Sequence, residues 1–344
     1  MLRSTSRLSR GCFAACSKSD SAWKSFNLFQ DDFLAMPLRF FARAPVPSRR
    51  GETWTDSRGY EHFEGRGGFA AGFGNSKWLR SAMLILGGGA AAVYLTHREE
   101  IPYSHRTHFV LCSPSTSKRI GEMTFRQIIE AAERQQAVYP SSHPKTNLVR
   151  RVGLRLAEMA AADAGGGFVD HMKDCEWEFK VIQSPQINAA VLPGGKVVVY
   201  SGLLNILEQE DELAFVLAHE VAHVVARHPD ERMTTSSLLG LFNVLFFMLF
   251  GLNIDGVLVL GLQLPFSRRS ETEADLIGLQ IMARSCYDPR WAPGVHRKIE
   301  RAAPQTGLPT MLSTHPASKQ RVSALEEAVP GAMRAYSDSD CEWR

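Results

Sequence analysis

Residues 213–229 read LAFVLAHEVAHVVARHP. The run of aliphatic residues, unbroken by a turn residue before Pro229, predicts a helix that is apolar around most of its circumference and so belongs in a core. Three polar side chains interrupt it: His219, Glu220 and His223. Burying them without partners is costly. His219 and His223 are four residues apart, on one helical face one turn apart, and can reach a single ion. Glu220 lies about 100° round the helix from His219, within reach of a group held on that ion.

H-E-x-x-H on a helix is the pattern of a zinc metallopeptidase. Zinc takes neutral imidazole nitrogens and lowers the pKa of its water to about 7. Glu220 is then the base that takes the proton as water attacks a peptide carbonyl. Such a centre needs a third protein ligand and one open position. The extended motif places a glycine and a third histidine where this chain has Ala226 and Pro229; His228 is one residue out of register, and the proline after it predicts a helix end. The third ligand therefore comes from SRRSETEADLIGLQ, residues 267–280. Glu271 and Asp275 share one helical face: Glu271 can bind the metal, and Asp275 can accept a hydrogen bond from a ligating histidine or from another group behind the ligands. Glu273 points roughly the opposite way and is no part of this ligand set.

Around this pair of helices the pattern predicts a mostly helical α+β domain with a small antiparallel sheet. Residues 123–139 and 146–163 read as amphipathic helices, 176–183 as a strand, and 187–200 as two strands joined at Pro193-Gly194-Gly195. A helix follows with Ser201 as its N-cap. Residues 210–228, 266–286, 289–302 and 316–328 are also helical.

The 344 residues are 44% hydrophobic and 22% charged, enough for one large domain with extensions, and the net charge of +3 comes from an early cluster of basic residues. That is no uniform basic surface, so nucleic acid is not among the partners. The six cysteines lie far apart without a C-x-x-C pair, which excludes a cysteine zinc site and a disulfide framework but leaves a single bridge open. Residues 1–45, rich in Arg and Ser and poor in acids, have the composition of a mitochondrial transit peptide. Residues 46–77 read as linker and 78–98 as a transmembrane helix. Its apolar stretch Ser81 to Leu95 spans about 22 Å against a hydrocarbon core of about 30 Å. Arg58, Arg66, Lys77 and Arg80 precede it, so the side before the span stays in the matrix. A second apolar region, 238–266, carries Asn243, Asn253 and Asp255. Two short helices dipping into a membrane, or a hairpin against the core, fit it better than one continuous span.

H-E-x-x-H followed by E-x-x-A-D, with a hydrophobic insertion between, resembles the HtpX and CAAX prenyl protease metallopeptidases. NAAVLPGGKVVVYSGLL at 188–204 and STHPASKQRV at 313–322 belong to the match, which covers residues 118–329 and leaves 330–344 as a C-terminal tail. The mitochondrial inner-membrane branch is the most similar. The resemblance implies a zincin-type (gluzincin) fold with an N-terminal membrane anchor and one Zn2+ per chain. It implies an endopeptidase facing the intermembrane space, acting in quality control or the stress response. Its partners would be membrane-protein or unfolded polypeptide substrates, the lipid bilayer and a homo-oligomer. It also implies that Asn188 and the Gly194-Gly195 turn belong to an edge strand that binds extended peptide. His315 would aid the developing oxyanion, with Arg321 behind it. Two other readings are a catalytically silent membrane adaptor, which would need neither ligands nor Glu220, and a prenyl-protein protease, which would need several clear spans.

Overall fold

The computed structural model describes residues 53–55, 61–63, 77–163, 170–173, 175–306, 311, 315–316, 318–339 and 341. The expected transit peptide and most of the expected linker lie outside them. The chain divides into two units, residues 1–93 and 94–344. The first holds an antiparallel pair, β1 (Thr53–Thr55) and β2 (Glu61–Phe63), and most of helix α1 (Lys77–Thr96). Met83 to Leu86 on α1 are all more than half exposed, which for four consecutive apolar residues is an unusual surface in water.

The second unit opens with the hairpin β3 (Arg98–Glu100) and β4 (Thr107–Phe109). Helices α2 (Pro114–Arg134), α3 (Pro144–Asp163) and the single turn α4 (Asp170–Lys173) follow. Pro114 at the first helical position and Ser113 accepting from the Thr116 N–H start α2. Its buried residues Ser117, Gly121, Phe125, Ile129 and Ala132 form one stripe.

Strands β5 (Glu178–Ile182), β6 (Ala189–Leu192) and β7 (Lys196–Tyr200) form a sheet in the order β5-β7-β6. The sheet is mixed, not antiparallel: after β5 the chain crosses to the far edge as β6, turns back, and enters the centre as β7, which puts β7 parallel to β5. Strand periodicity predicts the strands but not their order. β7 is buried on both faces. Val198 meets Ile182 and the α2 residues Phe125 and Ile129, while Val197 and Val199 belong to the main core with α3. Gly194 and Gly195 make the β6–β7 turn at φ +85° and +82°, a conformation other residues adopt at a cost.

Helix α5 (Ser201–Ile206) has Tyr200 at its N-cap rather than Ser201, whose hydroxyl instead pairs with the backbone of Ser184. Helix α6 (Glu210–Val225) carries the sequence motif and is buried without a break from Glu212 to Val225. It packs on α3, on β6 and on α9 (Leu264–Arg284). Between α6 and α9 the chain runs out and back as α7 (His228–Phe250), α8 (Asp255–Leu258) and a π-helical turn. This hairpin does not lie against the core: past Thr234 the buried positions of α7 stop, and Leu249 and Val257 near the bend are 75% and 70% exposed. Helices α10 (Ala292–Thr306) and α11 (Lys319–Ser337) complete the unit. α11 runs through most of the expected tail, burying Leu325 and Ala332, and Cys341 beyond it bonds to Cys286.

Candidate metal centre

The capping box of Gln209 and Glu212 starts α6, and Lys298 pairs with Glu212. The helix ends at Val225, and Arg227 just beyond it sits in the left-handed region (φ 52°). Arg227 is held there by Asp230 at 2.8 Å, both Glu99 oxygens at 2.7 Å and the Cys112 carbonyl at 2.6 Å. That enforced turn lets His228 begin a new helix with only Ala226 and Arg227 between it and α6. α9 meets α6 at a glycine: a Cβ on Gly278 would lie 2.9 Å from the His219 amide nitrogen. Only a glycine allows the carboxylates of α9 to face the histidines at that range.

The donor atoms of His219, His223, Glu271 and His315 lie within 4.8 Å of one another. His219 Nε2 and His223 Nε2 are 3.2 Å apart, and the Glu271 oxygens lie 3.5 Å from the first and 3.6 Å from the second. Tetrahedral zinc with ligands at 2.0–2.2 Å requires donor separations of about 3.3–3.6 Å. The two imidazoles and the carboxylate therefore fit the ion in both donor type and spacing.

Support comes from behind. His219 Nδ1 lies 2.9 Å from Asp275 Oδ1, an ion-pair contact with the residue that helical spacing places behind the ligands. Arg321 grips the same carboxylate with two bonds of 2.6 and 2.8 Å, and His296 stands 3.2 Å from it. Burial would lower His219, but hydrogen bonds with Asp275 and Glu271 outweigh it and push the metal-free imidazole up to about 10. Burial pushes His223 well down, favouring its neutral, ligating form. Glu271 and Asp275 resist the upward pull of burial: hydrogen bonds, led by that from His219, hold both well below the usual carboxylate range.

Glu220 is buried beside these donors. Its Oε2 accepts from the Val191 N–H at 3.3 Å, and its Oε1 has His315 Nε2 at 3.4 Å. Oε1 makes no protein hydrogen bond. A buried carboxylate oxygen of this kind is free for a water in the site. His315 turns its other nitrogen to Glu271 Oε2 at 2.8 Å, which puts it inside the donor group rather than beside it.

Asn188 precedes β6, the edge strand that packs on α6. It is buried and caps the Ala189 N–H. Gly194 and Gly195 are not gathered at the donors. Their carbonyls accept from Glu176 and Glu178, and Gly194 borders a separate cavity of about 480 Å3 with Ser117, Lys118, His171 and Arg227.

Sequence periodicity missed Glu273 and His228. Glu273 does point away from the metal, but α9 is covered there by the β3–β4 hairpin, and Arg106 and Ser104 of that hairpin bond to it. A helix wheel shows which residues oppose each other and not whether both sides are covered.

Residues 144–329 match the model of Peptidase family M48. The chain is similar to mitochondrial metalloendopeptidase OMA1 of Schizosaccharomyces pombe, 38% identical over 271 residues that cover 77% of this chain and 75% of the relative. It is 35% identical to the Saccharomyces cerevisiae protein of the same name over 276 residues, 77% and 79% of the two chains. The human metalloendopeptidase OMA1, mitochondrial, is 29% identical over 264 residues, 72% of this chain and 49% of that one.

Proposed function

The chain belongs to peptidase family M48 and is a metalloendopeptidase, and from that premise we propose a zinc enzyme of the mitochondrial inner membrane that cuts membrane or unfolded proteins in quality control. The observation that carries this reading is the convergence of His219, His223 and Glu271 with the partly free carboxylate of Glu220. His219, His223 and Glu271 would hold zinc, which supplies Lewis-acid polarisation of the scissile carbonyl. Glu220 Oε1 receives the proton of the attacking water and passes it to the leaving amine. β6, the sheet edge beside α6, is where an extended substrate adds as a strand. The complete set of ligands and base speaks against a silent adaptor, which needs none of it.

The membrane reading is supported by the apolar surface of α1 and by the hairpin. α7 is the one helix among the described residues long and apolar enough to cross a bilayer. Polar groups near the bend satisfy one another: Asn243 bonds to Asn253 and accepts from the Ile254 N–H, and Asn253 accepts from the Asp255 N–H. Lipid demands this of any backbone placed in it. His223 before the hairpin and Glu271 after it meet in one site, so the segment enters and leaves on the same side. Placement in the intermembrane space is supported by the basic residues before the apolar stretch Ser81 to Leu95 and by the Cys286–Cys341 bond, which suits a compartment more oxidising than the cytosol.

The test is zinc content and cleavage of an unfolded membrane protein by the purified full chain and by Glu220→Gln. The variant keeps zinc and loses about 10²- to 10⁴-fold in turnover, because an amide cannot accept the proton. Turnover like wild type would overturn the mechanism. For topology, an epitope after Arg344 should resist protease in intact mitochondria and be lost once the outer membrane is ruptured. Survival in both would put the domain in the matrix.

A further inference from the structure

His219 and His223 are supported differently. The second nitrogen of His219 meets a carboxylate directly, at Asp275. The second nitrogen of His223 meets another imidazole: His223 Nδ1 and His228 Nδ1 are 2.9 Å apart. His228 Nε2 in turn lies 3.1 Å from Glu273 Oε2. All three side chains are buried.

The protons in this chain have one consistent arrangement. His223 Nε2 faces the donor group, so as a ligand it presents its lone pair there and carries its proton on Nδ1. That proton is buried and needs an acceptor, and the nitrogen in range is His228 Nδ1. His228 Nδ1 accepts only in the tautomer with its proton on Nε2, and that proton is donated to Glu273. Glu273 is an acceptor fixed from the far side. Arg106 Nε and Nη2 contact it at 2.9 and 2.8 Å, and the Ser104 hydroxyl donates to its other oxygen. The other guanidinium edge of Arg106 is held by Glu231 at 2.7 Å. The fixed negative end thus sets the direction of both hydrogen bonds.

We propose that His228 and Glu273 are positioning residues that hold His223 in its metal-binding tautomer and orientation, through an imidazole relay where His219 uses a carboxylate alone. This rests on the zinc reading of His219, His223 and Glu271. His228 has the additional constraint of opening α7, so the relay sits where the apolar hairpin leaves the catalytic helix.

The experiment is zinc affinity of the full-length protein, measured by competition with a chromophoric chelator, for wild type, His228→Gln and His228→Phe. Glutamine keeps an acceptor and a donor on its terminal amide, spaced much like the two ring nitrogens; phenylalanine keeps the volume and neither. Loss of such outer support costs about 10- to 100-fold in metal affinity, so the Phe variant should weaken by that range while the Gln variant stays close to wild type. The visible spectrum of the cobalt-substituted protein should shift in the Phe variant alone. Thermal unfolding of the metal-free variants separates a folding defect from a binding one. Should the Phe variant not fold, Glu273→Gln puts the same question, since its amide no longer dictates which nitrogen of His228 carries the proton; weaker zinc is expected there too. Zinc affinity and a cobalt spectrum unchanged in His228→Phe, a Gln variant as weak as the Phe variant, or, where Phe does not fold, unchanged affinity in Glu273→Gln, would overturn the relay. A wild type that binds no zinc would overturn instead the reading of the site.

Discussion

Helices α6 and α7 are neighbours in sequence, separated by Ala226 and Arg227, and both read as apolar. α6 buries everything from Glu212 onward, including three ionisable groups of the metal site, and each of those groups has a polar partner or the metal to face. α7 buries polar residues (His228, Asp230, Glu231 and Thr234) on its first turns and then exposes Leu, Phe and Met all round. The inversion is what the proposed function requires of the two helices. Polar groups inside a core must be paired, so the interior of α6 carries chemistry. Apolar residues left outside need a non-aqueous neighbour, which the proposed membrane attachment would give the far half of α7.

The largest effect is expected at Glu271. Glu271→Ala removes one of the proposed zinc donors, and metal analysis should fall from one zinc per chain toward none. Glu273→Ala, two residues on, should retain a stoichiometric site when zinc is saturating. Besides the weaker affinity expected from loss of the relay, it should cost the fold about 1.5–3 kcal/mol, because Arg106 keeps Glu231 but loses its charge-assisted hydrogen bonds to Glu273. A Glu271→Ala protein with full zinc would show that the carboxylates had been assigned wrongly.

Glu273 also gives a pH signature. Burial raises its pKa, but hydrogen bonds from His228, Arg106 and Ser104 win and hold it at about 2, against an ordinary 4.5. A carboxylate depressed in the folded state adds stability that is complete above its unfolded pKa and fades as pH falls through the folded one. The gap in melting temperature between metal-free wild type and Glu273→Gln should be constant above about pH 5 and close as pH falls toward 2. A gap that does not change across that range would show that the carboxylate is not ionised in the fold.

A smaller effect is expected at Gly278, where α9 touches the backbone of α6. Alanine there must push the helices apart at His219, at about 1–3 kcal/mol in chemical or thermal unfolding and with weaker zinc binding. The smallest effect on the fold should come from the hairpin. Leu245→Asp, Phe247→Asp and Leu249→Asp, made together, touch no part of the core. Each should move the stability of the soluble part by no more than about 0.5 kcal/mol. The same protein should bind lipid vesicles less than wild type. A large loss of stability without a change in vesicle binding would make the hairpin a structural arm and remove the contrast with α6.

The gathering of His219, His223, Glu271, Glu220 and Asp275 was legible in the sequence because helical spacing alone decides which side chains share a face. The strands and the apolar surfaces were legible for the same reason, since periodicity is local. The order β5-β7-β6 was not, because a strand pattern is silent about which neighbour it pairs with. Nor were the entry of His315 into the donor group, the separation of Gly194 from it, the Arg321 grip on Asp275, or the bond between Cys286 and Cys341. Each joins residues dozens of positions apart. The His223–His228–Glu273 relay depends most on tertiary structure. It needs the left-handed turn at Arg227 to aim His228 back at the metal site, and Arg106 from the β3–β4 hairpin to fix Glu273. Local sequence sets the faces of helices and strands; only packing brings distant faces into contact, and the direction of a buried hydrogen bond is decided by what lies at its far end.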